Sequence, residues 1–599
     1  MVVRVKNLKI SNYGLWAFGV IAFAALLRIV LTVLGWPLTN SDEDTMGLMA
    51  LHIAFKGEHP LFFYGQNYMG AIEAYLGAAA FRLFGVSVFS LRLGTILLFT
   101  LFLTSMYFLA SLLYNKKVAL VTIILLSLGS IVMLDTEVIT LGGYPELLLF
   151  GALALLLVSW LISSYSQNVT RRGRMVRYIV YGCWGLIASV GFWSDFLMAV
   201  FILMSGLLLL LFCWRELLKG AIIVLLLGVA IGIFPLVIYN IYAPKGQDIW
   251  AALQFLHSAY SLELSQNHAF QQLPYIREIR GTMLVSLPSI TGTPALCSEV
   301  VLRLYGYPTL QPFECPPVQG HVGLATVSIL WSLGFLTLGA IAVVLAIRSL
   351  WKLRRNHLSG QPWSLEERQA ILRQFSRLAL LGTAALTLYL FISSPVSAVY
   401  PTNSRYLIGL LIAFPALIAP LLNGFRIDAA PVQTVDTTIN NLNAGRGSRF
   451  PLTFNSETVG MIVRRGILLL IGVVLLLGTI SSFFEIPTVQ VSAQKEDALI
   501  SDLLRINATH IYSEYWTCGR IIFQTREQII CASLGPDLNP HRNRYAAYYY
   551  IVKNDPKSAY AFPINSPQDQ KFMQWEITSR IHYQHYTFDG YHVYKPVSP

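Results

Sequence analysis

The sequence predicts an α-helical polytopic membrane protein of about eleven transmembrane helices, with extracytoplasmic interfacial helices and a small C-terminal α/β domain. Three observations carry this. Charged residues make up only 12% of the 599 and hydrophobic ones 55%, where soluble chains carry about 25% charged residues; the mean hydropathy is +0.57. Apolar runs of about 18 to 25 residues, enough to cross roughly 30 Å of hydrocarbon, recur along residues 1–484. Residues 485–599 are polar, with short amphipathic and alternating patterns in place of long apolar runs.

The apolar segments fall at 14–35, 88–113, 118–134, 143–165, 178–193, 196–213, 219–242, 322–348, 377–395, 406–423 and 466–484. Arg4, Lys6 and Lys9 precede the first, and no small-residue cleavage site follows it, so it reads as a retained anchor. With the N-terminus in the cytoplasm, the inner segments hold 23 basic and 6 acidic residues and the outer ones 20 basic and 25 acidic, out of 43 and 31. The net charge of +12 then divides into +17 inside and −5 outside. That asymmetry is the one that orients multi-span proteins, so the basic balance gives no reason to expect nucleic acid as a partner. The chain is expected in the plasma membrane, its C-terminal domain extracytoplasmic.

Two regions follow from this division, a membrane domain at 1–484 with outer loops 36–87 and 243–321, and an extracytoplasmic domain at 485–599. In the latter a short amphipathic helix is expected at 498–506, with strands at 510–515, 520–524, 528–532 and 548–552. Cys297 and Cys315, and Cys518 and Cys531, form two sequence-local pairs on the outer side, where an oxidising compartment permits disulfides. Cytosolic nucleotides are not the expected donor, because the sequence has no glycine-rich phosphate-binding motif and no sizeable cytoplasmic domain.

Chemistry is concentrated in the outer segments. Ser41-Asp42-Glu43-Asp44 follows the first span within a few residues. Ser41 and Asp44 match a capping box, and carboxylates suit a helix N-terminus, but capping uses only one or two of the three. Carboxylates near a low-dielectric region are costly unless paired or used. One of them could take a proton from an acceptor hydroxyl as a general base, or bind a divalent cation.

The stretch 57–75 is too polar to span and too aromatic for a free loop, so Tyr64, Gln66, Tyr68 and Glu73 are expected to line an interfacial groove, although an aromatic belt has the same composition. Asp135, Glu137 and Glu146 flank Gly142-Gly143-Tyr144-Pro145, and Asp195 marks a third outer turn. Arg28 lies within the first span and Arg405 opens the tenth. A loop carboxylate is a ready partner for Arg28; a guanidinium at head-group depth, as at Arg405, matches the geometry of a lipid phosphate.

At these residues the chain resembles the C-type (GT-C) membrane glycosyltransferases that use polyprenyl-phosphate sugars. It is most similar to bacterial relatives of the dolichyl-phosphate-mannose protein mannosyltransferases and the lipid A aminoarabinose transferases. The resemblance rests on Asp42-Glu43 after the first span, Gly47-Leu48-x-Ala50-Leu51-His52-Ile53, and Phe62-Phe63-Tyr64-Gly65-Gln66-x-Tyr68-Met69-Gly70-x-x-Glu73-Ala74-Tyr75. Gly142-Gly143-Tyr144-x-Glu146, Arg405-Tyr406-Leu407 and the order of spans extend it over most of residues 10–425. It implies that Asp42 of the Asp42-Glu43 pair is the catalytic carboxylate and that Asp135 or Glu146 is an assisting acid.

The expected activity is inverting transfer of a sugar from a polyprenyl-phosphate donor to an acceptor hydroxyl of a glycan, lipid or protein at the outer face. Glu43, Asp44, Asp135 or Glu146 would orient the acceptor or a cation, and Arg405 and Arg28 would hold the donor phosphate. A multi-span lipid or glycolipid flippase is the alternative; it would extend polar groups to the inner face.

Overall fold

The computed structural model describes residues 12–164, 170–244, 246, 248–251, 254, 274–292, 322–357, 363–394, 397, 401–424, 456–579 and 581–597. The membrane region opens with α1 (Asn12–Val33), α2 (Ser41–Leu51), the hairpin β1 (Phe62–Phe63) and β2 (Gln66–Gly70), and α3 (Ile72–Phe84). There follow α4 (Val88–Leu113), α5 (Lys116–Ser127), α6 (Ile131–Val138), α7 (Tyr144–Ser163), α8 (Arg171–Ser194), α9 (Met198–Glu216) and α10 (Ile222–Tyr242). The bundle closes with α11 (Val322–Asn356), α12 (Leu365–Ile392), a 3₁₀ helix at Pro401–Ala413, α13 (Phe414–Asn423) and α14 (Ser456–Arg505).

Among the described residues, nine helical stretches are long and apolar enough to cross a membrane, and α5 with α6, bent by 87°, makes a tenth if taken as one span. One of the nine, Met198–Tyr242, turns at Lys219 and Gly220 into α9 and α10. Each of the eleven apolar segments read from the sequence therefore has its helix, the short one at 118–134 being the α5–α6 bend. Cys297, Cys315 and most of the loop 243–321 lie outside the described residues.

The bundle core is aliphatic and aromatic, with Phe99, Phe102, Met106, Leu155, Leu161 and Leu411 fully buried. The 3₁₀ helix has 13 residues, long for a conformation with strained hydrogen bonds. It is buried against α7, α12 and the helical turn Leu287–Thr291.

Helix α14 has 50 residues, about 75 Å at 1.5 Å per residue. Ile486 and Val489 pack against Leu31 and Trp36 of the membrane region, while Leu499 and Leu503 enter the core of the C-terminal domain. The separate helix expected at 498–506 is the end of this one element.

The C-terminal sheet has the order β4–β3–β5–β7–β6, with β3 (His510–Ser513) parallel to β4 (Ile530–Ser533) and β5 (Ala559–Pro563). Strand β7 (Tyr591–Pro596) is antiparallel to β5 and to β6 (Tyr583–Phe588). Two expected strands are helices. At 520–524 the chain is within α15 (Tyr515–Gln524), where Cys518, Ile521 and Ile522 fall on one face and are buried, the parallel β3–β4 pair needing a crossover element between its strands. At 548–552 it is α16 (Ala546–Asn554), in which Tyr548 and Val552, four residues apart, face the core; burial on a helical face overrides the strand propensity of tyrosine. Asp589 and Gly590, both at positive φ, turn β6 into β7, a two-residue hairpin signal legible as Asp-Gly.

Candidate active site

The site is built on the first turn of α2. Asn40 caps this helix, its side-chain oxygen accepting from the amides of Asp42 and Glu43 at 3.0 Å each. The capping box expected at Ser41 does not form. With Asn40 as cap, the Ser41 hydroxyl is free to donate to the carbonyls of Tyr515 and Trp516 at 2.7 and 2.9 Å, tying α2 to the C-terminal domain.

Successive residues on a helix point about 100° apart, so the three acids enter three environments. Glu43 turns into the bundle and receives Arg92 of α4 in a fork, Nε to Oε1 at 2.7 Å and Nη2 to Oε2 at 2.6 Å. Oε1 also accepts the Thr140 amide at 3.0 Å. Both side chains are essentially unexposed. The part in the reaction expected for Glu43 is therefore corrected to a structural one, because its oxygens are taken by Arg92 and the Thr140 amide and its side chain is sealed from solvent.

Asp44 is buried, and neither oxygen has a hydrogen-bond partner. Burial pushes its carboxyl well above the ordinary range, against the nearby Arg520. An orienting role toward the acceptor does not suit a carboxyl this enclosed.

Asp42 faces the space between the two regions and keeps 22% of its side chain exposed. Tyr515 Oη donates to its Oδ1 at 2.6 Å, and Arg544 Nη2 donates to the same oxygen at 2.9 Å. Burial pushes this carboxyl up, but Arg544, Tyr515 and Arg405 outweigh burial and hold it below the ordinary range. Of the three acids it is the one both open to a reactant and held by cations.

The β1–β2 hairpin closes one wall. The Gln66 amide oxygen accepts from Arg544 Nη1 and Nη2 at 2.8 and 2.9 Å, and the Arg544 guanidinium lies 5.2 Å from the Phe63 ring centroid. Tyr68 lies within the electrostatic reach of Asp42, Arg544 and Arg405, and burial raises its hydroxyl. Tyr64 is turned away from this wall. Its hydroxyl donates to Glu58 at 2.5 Å and meets His52 Nδ1 at 2.9 Å, in a network where Glu527 receives Lys56 at 2.5 Å and Tyr545 reaches Glu58 at 3.1 Å. Tyr64 thus belongs to the contact between the two regions.

Within electrostatic reach of Asp42, Arg405 on the 3₁₀ helix lies 5.5 and 5.7 Å from the ring centroids of Tyr144 and Tyr406. Tyr406 borders a groove with about 740 Å³ of open space, lined by apolar side chains including Leu147, Val200, Phe201 and Phe391.

Glu73 does not line this space. One of its oxygens accepts the Gly142 amide at 2.7 Å and its carboxyl lies against that of Glu146. Burial, and then the neighbouring Glu146, raise Glu73 well above the ordinary range. Asp195 completes this group. It accepts the Leu197 amide at 2.8 Å, and burial raises it to about 6. Gly143 has φ +87°, and a Cβ there would meet Asp195 Oδ2 at 2.7 Å, so glycine is required. Asp195 is within electrostatic reach of Glu146, which lies against Glu73, while Asp135 is on α6 and largely buried.

Arg28 is corrected as a donor-phosphate ligand. It is fully buried, ion-paired with Glu137, donates to the carbonyls of Ala24 and Ser127 at 3.1 Å, and lies 3.7 Å from the Phe99 ring centroid. Among the described residues no three His, Cys, Asp or Glu side chains gather as a metal site. Instead of the further carboxylates a cation would need, guanidinium groups surround Asp42.

Sequence reasoning missed Arg92, Tyr515 and Arg544. A signal for Arg544 existed: His541-Arg542-Asn543-Arg544 gathers two arginines and a histidine within four residues. Cys518 and Cys531 are joined, their Cα atoms 5.3 Å apart, tying α15 to β4.

No protein-family model matches the chain, and no curated protein sequence matches it. It is similar to a crystal structure of ArnT from Cupriavidus metallidurans bound to undecaprenyl phosphate, at 12% identity over 97% of this chain and 98% of that one, with a TM-score of 0.49. It is also similar to the archaeal oligosaccharyltransferase AglB from Archaeoglobus fulgidus in complex with an inhibitory peptide and a dolichol-phosphate, at 13% identity over 97% of this chain and 74% of that one, with a TM-score of 0.40.

Proposed function

We propose that the chain is an inverting glycosyltransferase that moves a sugar from a polyprenyl-phosphate donor to an acceptor hydroxyl at the outer face of the membrane. The observation that carries this is the electrostatic pairing of a partly exposed carboxylate at Asp42, held below the ordinary range, with the guanidinium of Arg405. Arg405 would hold the donor phosphate, and the apolar groove beside Tyr406 would take the start of the prenyl chain. The orientation follows from the charge division, which puts α2 and the C-terminal domain outside the cytoplasm.

In the step itself Asp42 takes the proton of the acceptor hydroxyl as the new bond forms between its oxygen and the anomeric carbon. The bond from that carbon to the phosphate oxygen breaks on the opposite face, and its electron pair leaves with the polyprenyl phosphate. Arg405 stabilises the charge that develops there. Burial and the neighbouring Glu146 favour the neutral form of Glu73, whose carboxyl accepts the Gly142 amide and so shapes the Gly142-Gly143 turn.

The flippase reading is weaker, since the groove beside Tyr406 is apolar and Arg28 and Glu137 neutralise each other within the bundle. The deciding experiment is mass spectrometry of cell-envelope glycans and glycolipids with the chain, without it, and with Asp42→Asn. A sugar modification that disappears on deletion and returns with wild type alone is expected; its return with Asp42→Asn would overturn the mechanism.

A further inference from the structure

We propose that Tyr515 and Arg544, from the C-terminal domain, are positioning residues of the transfer centre: by occupying Asp42 Oδ1 together they leave Oδ2 as the oxygen that meets the acceptor proton. This deepens the transferase reading and rests on it. Both donors reach the same oxygen, Tyr515 at 2.6 Å and Arg544 at 2.9 Å, while Oδ2 accepts no hydrogen bond from any described residue. The exposed fraction of the Asp42 side chain is thus matched by an uncommitted lone-pair set on one oxygen only. A base whose rotation is fixed by a second group is the general arrangement by which a proton acceptor is aimed.

The two donors are themselves fixed. Arg544 Nε donates to Tyr515 Oη at 2.9 Å, and Nη1 and Nη2 both donate to Gln66, so each guanidinium nitrogen already has a partner that fixes its orientation. Tyr515 is held from behind by the Ser41 hydroxyl, on the residue next to Asp42. The close approach is made possible by glycine on both partners. A Cβ at Gly519 would lie 2.9 Å from Ser41 Cα, and one at Gly47 would lie 2.6 Å from the Phe523 ring.

The titratable and charged groups that face Asp42 are therefore Arg544 and Tyr515 from the C-terminal domain, Arg405 from the 3₁₀ helix and Tyr68 from β2. Arg405 is the group proposed above for the donor phosphate. The C-terminal domain supplies two of the four.

The test is carbodiimide labelling of the full-length protein in lipid nanodiscs, because dicyclohexylcarbodiimide reacts with a protonated carboxyl, with the Asp42 peptide quantified by mass spectrometry across pH. Arg544→Ala is expected to move the Asp42 labelling midpoint upward by about one pH unit or more, as loss of an adjacent opposite charge does. Arg544→Lys should move it less, and Tyr515→Phe should move it in the same direction, with labelling of the enclosed Glu73 unchanged throughout. Unmoved midpoints in Arg544→Ala and Tyr515→Phe would overturn the proposal. If altered Glu73 labelling shows that Arg544→Ala is misfolded, Tyr515→Phe decides alone: it keeps the ring and removes one hydrogen bond, so an upward shift supports the proposal and an unmoved midpoint overturns it. The envelope glycans of the same variants keep the two claims apart. Transfer that persists in Asp42→Asn sinks the transferase reading whatever the labelling shows. Transfer lost in Arg544→Ala and partly restored in Arg544→Lys supports both claims.

Discussion

Gly519 lies against Ser41 so closely that a Cβ on the glycine would stand 2.9 Å from the serine Cα and 3.0 Å from its Oγ. Together with Gly47 against the Phe523 ring, where a Cβ would stand 2.6 Å away, this contact sets how closely α15 approaches α2. Gly519→Val should force the two helices apart at a cost of about 1–3 kcal/mol, the usual penalty of overpacking a fitted contact. The expected result is a lower Tm together with faster amide exchange in α2. A Tm and exchange pattern matching wild type would show that the helices can separate without consequence.

Asp42 and Glu43 are neighbours in sequence with opposite expected phenotypes. Asp42→Asn should leave expression and Tm near wild type and abolish transfer, since it removes the base and retains the shape. Glu43→Gln strands Arg92 in a site without solvent, and breaking a buried ion pair from one side costs about 3–5 kcal/mol. Yield and Tm of the purified variants check this. Equal stability of the two would contradict the division of roles.

The docking network should respond to acid. Burial raises the Glu527 carboxyl, but hydrogen bonds from His52, Lys56 and Tyr548 outweigh it and hold the group down to about 2, below its ordinary 4.5. A carboxyl depressed in the folded state gives stability that is present in full above about pH 4.5 and is lost as pH falls toward 2. Exchange protection of α15 and α16 should therefore decline over that interval in wild type, and the decline should flatten in Glu527→Gln. Identical acid profiles would remove Glu527 from the account.

The Cys518–Cys531 link closes a segment of sequence separation 13, for which constraint of the unfolded chain is worth about 3 kcal/mol. Because the first of these residues is on α15, one turn from Tyr515, reduction should loosen the element that aims Asp42. The expected outcome is a lower Tm in dithiothreitol for wild type and no change in dithiothreitol for the Cys518→Ala, Cys531→Ala pair. A reducing-agent effect of the same size in the double variant would place the sensitivity elsewhere.

Much of the architecture was legible because it rests on one-dimensional properties. Apolar length locates a span wherever the chain goes afterward, so all eleven segments were found, including the α5–α6 bend as an unusually short run. The strands β3 and β4 were legible as the short runs at 510–515 and 528–532, though not their parallel pairing. What misled was local propensity. The tyrosines and isoleucines at 520–524 and 548–552 favour strands in isolation, but the sheet they pack on requires helices at those points.

By itself the sequence determined that this is a multi-span membrane protein with a polar C-terminal domain, and that Asp42, Glu43 and Asp44 follow the first span. Only the tertiary structure decided which of the three acids is available. The partner of Glu43 is 49 residues away and that of Asp42 is 502 away, separations at which sequence carries no information about contact. Ionisation and access depend on what surrounds a group in space, and a rotation of about 100° per residue along α2 is enough to seal one carboxyl, neutralise another and leave the third charged and open.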